Sequence, residues 1–281
     1  MRSQQCKECC KTKYPILLLH GMGFHDRMPI HYYWGRIPRL LRKHGASIYF
    51  SGQDGNATVA DNALQLQPLI QSILQETGAE KINIIAHSKG GLEARYLIST
   101  MHMGNCIASV TTLATPHNGS KTIDWLLPRF RPLIRCFCRC FDLLRRLLGD
   151  HKPNTYSVIC QMTSVGMRQF NAQNPDHPKV YYQSYAFVMR HPFSDLIMAI
   201  PNAVVSVFEG KNDGLISPAN AKWTNFRGIY YGVTGRGISH PDEADYRRIP
   251  FRLYTPKQPR TISDITQLYI AIVRGLRLRG L

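Results

Sequence analysis

Apolar positions fall into two patterns along the chain. Short, nearly continuous apolar runs alternate with longer stretches in which apolar residues recur every three or four positions. Tyr14–Gly21 (YPILLLHG) is a run of the first kind, closed by glycine, and predicts a strand buried on both faces. Ser47–Ser51, Lys81–Ala86, Ile107–Leu113, Val180–Val188, Val204–Glu209 and Ile229–Val233 predict further strands. Arg36–His44 and Val59–Thr77 carry the helical period and stop at Gly45 and Gly78. A helix starts near Gly90, and Ile265–Val273 predicts a last amphipathic one. Strands alternating with helices predict βαβ units and an α/β fold with a mainly parallel sheet. No repeat, linker or low-complexity stretch divides the chain, so residues 1–281 are expected to form one domain.

Pro132–Leu148 (PLIRCFCRCFDLLRRLL) breaks the pattern. Arg135, Arg139, Asp142 and Arg146 recur at helical spacing in one charged stripe, widened by Arg145, and the other faces are apolar.

Chemistry concentrates at the third strand. NIIAHSKGGLEARY, residues 83–96, places Ser88 on a corner between a strand and a helix. Ala86-His87-Ser88-Lys89-Gly90 matches the G-x-S-x-G nucleophile elbow with alanine for the first glycine. The pentapeptide alone would equally suit a serine capping a helix. The later loops decide, because acyl transfer needs a base and a carboxylate to orient it. Asp213 lies in GKNDGLISP just past the strand predicted at Val204–Glu209. His240 lies in GRGISHPDEAD after the strand predicted at Ile229–Val233. The order Ser, Asp, His is that of the elbow motif. His117, in TPHNGS, is the rival base, but it precedes any late acidic partner and its setting suits a structural loop. The oxyanion donors are expected at the backbone N–H groups of Lys89 and of Met22, in the HGMGF loop after the first strand.

With 281 residues, 44 % of them hydrophobic, the chain can bury a large core. A net charge of +17 invites a nucleic-acid reading. No zinc-finger spacing, basic heptad region or aromatic RNA-binding pattern supports it, so no nucleic-acid partner is expected. Anionic membrane headgroups remain as the expected meeting surface. The eight cysteines show no paired metal spacing and are expected as reduced thiols. No apolar run is long enough for a membrane span, and the N-terminus lacks an apolar leader core. A cytoplasmic or peripheral-membrane protein is expected, or a secreted one if a leader has been removed.

YPILLLHGMGF, NIIAHSKGGLEARY, TLATPHNGS, GKNDGLISPANAKW and GISHPDEADYRR, in this order, resemble the bacterial triacylglycerol lipases of Pseudomonas, Burkholderia and Bacillus type. The resemblance implies the α/β-hydrolase fold and hydrolysis of lipid esters through an acyl-enzyme. It implies Ser88 as nucleophile, His240 as base, Asp213 as its orienter, and Met22 and Lys89 as oxyanion donors. It also implies a structural calcium ion held by Asp195, Asp242 and the carbonyls of about Tyr246 and Pro250. No organic cofactor is expected. The greasy helix at 132–148 is expected to be a lid that opens at a lipid interface. An acyltransferase or short-chain carboxylesterase on the same triad are the enzymatic alternatives. A silent membrane-binding protein on this scaffold is the non-enzymatic one.

Overall fold

A computed structural model of the chain describes residues 8–26, 32–232, 236–246, 253–255, 258–262 and 264–281. Its strands are β1 (Ile16–Leu19), β2 (Ile48–Phe50), β3 (Ile82–His87), β4 (Ile107–Leu113), β5 (Tyr181–Val188), β6 (Phe226–Gly232), β7 (Leu253–Thr255) and β8 (Gln258–Ile262). They form one sheet in the order β2-β1-β3-β4-β5-β6-β7-β8. The first six are parallel, and β7 and β8 continue the edge antiparallel.

The helices are α1 (Ile37–Lys43), α2 (Val59–Thr77), α3 (Gly90–Ser99), α4 (Lys121–Arg129), α5 (Arg131–Leu147), α6 (Thr155–Gln161), α7 (Ser164–Gln173), α8 (Ala199–Glu209), α9 (Pro218–Ala221), α10 (His240–Glu243) and α11 (Ile265–Arg277). Strand alternation divides β1 between two cores. Ile16 and Leu18 pack with Ile37 and Leu41 of α1 and with Tyr269 and Val273 of α11. Leu17 and Leu19 pack on the other face with Leu66 and Ile70 of α2 and Leu97 of α3. A sheet covered on both sides is why β1 and β3 read as unbroken apolar runs rather than alternating ones. Helix α2 has the ends its sequence announces. The Thr58 hydroxyl accepts from the Asp61 N–H at one end, and Gly78 takes a left-handed backbone at the other.

One element differs in kind from the sequence expectation. Val204–Glu209 is the second half of α8, not a strand. Its β-branched residues suit a strand locally, but β5 is already paired on one side by β4 and on the other by β6. No position beside β5 is left for it. The Asp213 loop therefore follows a helix. It still reaches the carboxyl end of β5, because the Met189 N–H bonds to the Asn212 carbonyl at 2.9 Å after an excursion over residues 190–211. Val233, the last residue of the strand predicted at 229–233, lies outside the described residues. Among those described, no helix is long and apolar enough to cross a membrane.

Candidate active site

The end of β3 and the start of α3 enclose Ser88 in a turn that only close packing could hold. Ser88 has a φ of 55°, left-handed backbone that costs a non-glycine residue strain. Its N–H bonds the Leu113 carbonyl of β4 at 2.9 Å, and the Thr115 hydroxyl donates to its carbonyl at 2.7 Å. A Cβ on Gly90 would lie 2.8 Å from the carbonyl oxygens of Leu19 and His20, so the helix can approach β1 this closely only with glycine there. A Cβ on Gly21 would lie 2.8 Å from the Ser88 Cβ, so the Gly21–Met22 backbone borders the serine directly. Of the two expected oxyanion donors, Met22 follows Gly21 and Lys89 follows Ser88 in the chain.

The side chain of Lys89 does something the sequence did not suggest. It is buried, with Nζ donating to the Ala57 carbonyl at 2.9 Å and to Glu93 Oε1 at 2.6 Å. Its charge is paired with Glu93 in the interior.

Asp213 and His240 meet as expected. His240 Nδ1 lies 2.9 Å from Asp213 Oδ2, and the other carboxylate oxygen accepts from the N–H groups of Leu215 and Ile216 at 2.8 and 2.7 Å. Burial alone would push the Asp213 carboxyl up; the charge and hydrogen bond of His240 outweigh it and hold the group below the usual carboxylate range. His240 opens α10 behind a capping box made by Ser239 and Asp242. Its ring lies 4.4 Å, centroid to centroid, from that of His87, the residue before the serine.

Three residues not singled out as functional complete the interior of the site. The Gly21 N–H donates to Tyr33 Oη at 3.0 Å, and Tyr33 Oη bonds His87 Nδ1. His87 Nε2 lies 2.9 Å from Glu243 Oε2. Burial, then the neighbouring His240 and His20, push the His87 imidazole well down, so it is neutral. Burial and the Asp213 charge push the Glu243 carboxyl well up. A consistent set of donors follows. Tyr33, already accepting from Gly21, donates to Nδ1, and Nε2–H donates to Glu243 Oε2; Glu243 Oε1 is buried without a hydrogen-bond partner. The chain ties the loop of Met22 to Glu243, whose Oε2 lies 3.9 Å from His240 Nδ1. Glu243 follows the HPD of a quoted motif, but no spacing rule marks it. Tyr33 and His87 have no sequence signal beyond position.

His117, the rival base, is elsewhere. It is fully buried, bonded to Thr112 Oγ1 at 3.0 Å and stacked on Trp223 with ring centroids 5.2 Å apart. Burial, with Arg95 beside it, pushes its pKa well down. It is a structural histidine.

Of the four expected calcium ligands, Pro250 lies outside the described residues. Asp195 and Asp242 are buried, and the Arg190 N–H bonds the Arg236 carbonyl at 3.0 Å, laying the segment of Asp195 along the loop that leads to His240. One oxygen of each is already used locally. Asp195 Oδ1 accepts from Ile197 and Met198 N–H, and Asp242 Oδ2 accepts from Ser239. Tyr246 packs its ring against Phe24 with centroids 5.1 Å apart.

Helix α5 covers the segment expected to be a lid, with two corrections: Asp142 turns inward from the expected stripe, and Arg145 is not part of its exposed side either. It is buried, with Nε and Nη2 donating to Asp150 at 3.1 Å and Nη1 to the Gly23 carbonyl at 3.0 Å. Cys138, Asp142 and Arg145 are spaced by four and three and form the inward face, with Asp142 accepting from the Thr155 N–H at 2.9 Å. The end of α5 is therefore anchored to the loop that carries Met22.

A parallel six-strand core with a serine elbow after its third strand, and an acid and a base in later loops, defines an α/β-hydrolase. Lipase 1 of Pelosinus fermentans shares that fold with a TM-score of 0.64, over 95 % of this chain and 99 % of that one, at 15 % identity. The profile of the palmitoyl protein thioesterase family matches residues 15–228, and the chain belongs to that family. Triacylglycerol lipase 2 of Saccharomyces cerevisiae is 29 % identical over 223 residues, 76 % of this chain and 63 % of that protein. The triacylglycerol lipase of Pseudomonas fragi is 32 % identical over 176 residues, 58 % of each. The chain thus spans less than two thirds of the length of these relatives. The motif resemblance to α/β-hydrolase lipases is matched by them.

Proposed function

We propose that the chain hydrolyses lipid esters through an acyl-enzyme on Ser88. The observation that carries this reading is the buried Asp213–His240 pair set against a serine elbow, with the names of the relatives pointing the same way. His240, oriented by Asp213, takes the Ser88 proton as Oγ attacks the carbonyl. The N–H groups of Met22 and Lys89 hold the developing oxyanion, each worth about 3 kcal/mol in comparable sites. His240 then gives its proton to the leaving alcohol, and water releases the acid through the same base. Labelling by a fluorophosphonate probe, lost in Ser88→Ala, together with turnover of p-nitrophenyl esters, tests it. Absence of both from the intact chain would leave a silent scaffold.

The family match favours a second reading, cleavage of acyl thioesters by the same groups. The ratio of kcat/KM for a palmitoyl thioester to that for a palmitoyl oxyester separates the two.

The expected lid is carried forward in this reading. Helix α5 turns Leu133, Phe137, Leu144 and Leu147 to solvent, with Arg135, Arg139 and Arg146 exposed beside them. Apolar side chains flanked by cations suit an anionic lipid interface, where α5 would move against acyl chains and the protein would sit peripherally. A steep rise of activity above the substrate's solubility limit is expected. A calcium ion at Asp195 and Asp242 is carried forward as well, since buried carboxylates on adjoining segments suit a hard cation. It would clamp the His240 loop and supply no chemistry to the ester. Chelation should then lower Tm and activity together, and Asp242→Ala should reproduce this.

A further inference from the structure

Residues 190–211, which sequence patterning misread as holding a strand, turn large apolar side chains to solvent. Phe193, Leu196 and Ile200 are 78, 82 and 78 % exposed, with Ile197 at 68 %. Along α8, Ile200, Ala203 and Val207 share the outer face at spacings of three and four. The inner face carries Asn202, buried, whose Nδ2 donates to Asn212 Oδ1 at 2.8 Å while Asn212 Nδ2 returns a bond to the Asn202 carbonyl. A surface helix in water turns its apolar face inward; this one turns it out. An exposed apolar stripe of this kind marks a contact surface.

The stripe continues into α4 and α5. Phe208 packs on Trp125 with ring centroids 5.2 Å apart, and Trp125 on Phe130 at 6.2 Å, where α4 gives way to α5. The charges of both segments are sorted by sign. Their acids are turned inward: Asp124 accepts from the Ser164 N–H, Asp142 from Thr155, Asp195 from Ile197 and Met198, and Glu209 from Ser120 and Thr122. Their outward charges are basic: Arg129, Arg131, Arg135, Arg139, Arg146 and Arg190 are exposed. A protein partner of mixed charge would find no acid to pair with on this surface. An acyl surface bearing anionic headgroups fits both the apolar stripe and the sorted cations.

We propose that the segment from Phe193 to Val207 is a lipid-surface anchor, inserting Phe193, Leu196, Ile197 and Ile200 among acyl chains beside the arginines of α4 and α5. The proposal deepens the lipid-ester reading and rests on it. It adds a fixed docking element, separate from the serine corner, that would hold the site at the interface whatever α5 does.

The test uses the full chain with vesicles of phosphatidylcholine, with and without phosphatidylserine. Leu196→Asp combined with Ile197→Asp should reduce sedimentation with mixed vesicles at least about tenfold. These side chains already face water, so Tm and turnover of a short soluble ester should be unchanged. Gln at Arg135, Arg139 and Arg146 should abolish the preference for phosphatidylserine and leave weaker binding to neutral vesicles. Vesicle binding unaffected by the aspartates would overturn the proposal. So would a wild-type dimer that the aspartates split with no vesicle binding in either form, because the stripe would then seat a second copy. If wild type bound vesicles through this segment yet hydrolysed no ester, the catalytic reading alone would fall.

Discussion

The serine corner and the α4–α5–α8 surface break the usual partition of side chains in opposite directions. At the corner, groups that normally face water are buried: Lys89, Glu93, His87, Asp213 and Glu243 are all nearly inaccessible. On the outer surface, groups that normally hide are exposed, Leu196 and Leu147 among them. Burying polar and charged side chains is tolerable only where each finds a partner, and each of these has one. Exposing leucine is tolerable only where something apolar comes to meet it. The first departure fixes positions for chemistry, and the second leaves a surface waiting for contact. Helix α5 joins them, since its inner face holds Arg145 and its outer face Leu147.

The largest expected effect isolates the corner. Ser88→Ala should lower ester turnover by at least about a thousandfold, with Tm preserved because only one hydroxyl is removed. His240→Ala should come close to it, since members of a triad act as a unit. Asp213→Asn should lose less, and vesicle binding should be unchanged in all three. An inactive His117→Ala beside an active His240→Ala would move the base to the buried loop after β4.

How much of this was readable in the sequence divides along the same line. Ser88, Asp213 and His240 were legible because elbow and loops are local signals: a small-residue turn, and acidic and basic residues after late chain segments. The strand predicted at 204–209 was wrong because VVSVF carries β-branched preference, and only the occupied neighbours of β5 rule a strand out. Asp213 was expected after a strand; it follows a helix instead and still meets His240. Arg145 was read onto the exposed stripe because spacing alone cannot say which face of an amphipathic helix turns inward; its partner Asp150 decides that. Tyr33 and His87 needed tertiary contacts to be seen at all.

The second expected effect tests the join between the two regions. Arg145→Leu would leave Asp150 buried without its guanidinium, at a cost of about 3–5 kcal/mol. Burial by itself would raise the Asp150 carboxyl; His25, Arg145 and the Gly55 N–H outweigh it and hold it well below its ordinary value. A depressed folded pKa means stability that is full above the unfolded pKa and lost as pH falls through the folded one. Wild type should therefore lose Tm below about pH 4, and Asp150→Asn should flatten that loss. Because Arg145 also holds the Gly23 carbonyl, Arg145→Leu should lower kcat on a short soluble ester more than it raises KM. An unchanged kcat in a folded Arg145→Leu protein would separate α5 from the Met22 loop.

The smallest expected effect probes the interior chain of hydrogen bonds. Glu243 lies against His87, and burial with the Asp213 charge pushes its carboxyl well up. Its Oε2 accepts from His87 Nε2–H, and a glutamine amide oxygen offers the same acceptor. Glu243→Gln should hold kcat within about threefold of wild type, since that bond has a replacement. Glu243→Leu has no such group. It leaves His87 Nε2–H buried without an acceptor, which costs about 1–3 kcal/mol. Its kcat should fall while KM stays level, because the binding surface for the acyl chain is untouched. Tyr33→Phe enters the chain from the other end, withdrawing the group that accepts from Gly21 and bonds His87. If Glu243→Leu and Glu243→Gln had the same kcat, the bonds would not matter and Glu243 would only fill space. If Glu243→Gln were as poor as His240→Ala, the titratable carboxyl rather than an acceptor for His87 would be what the site requires.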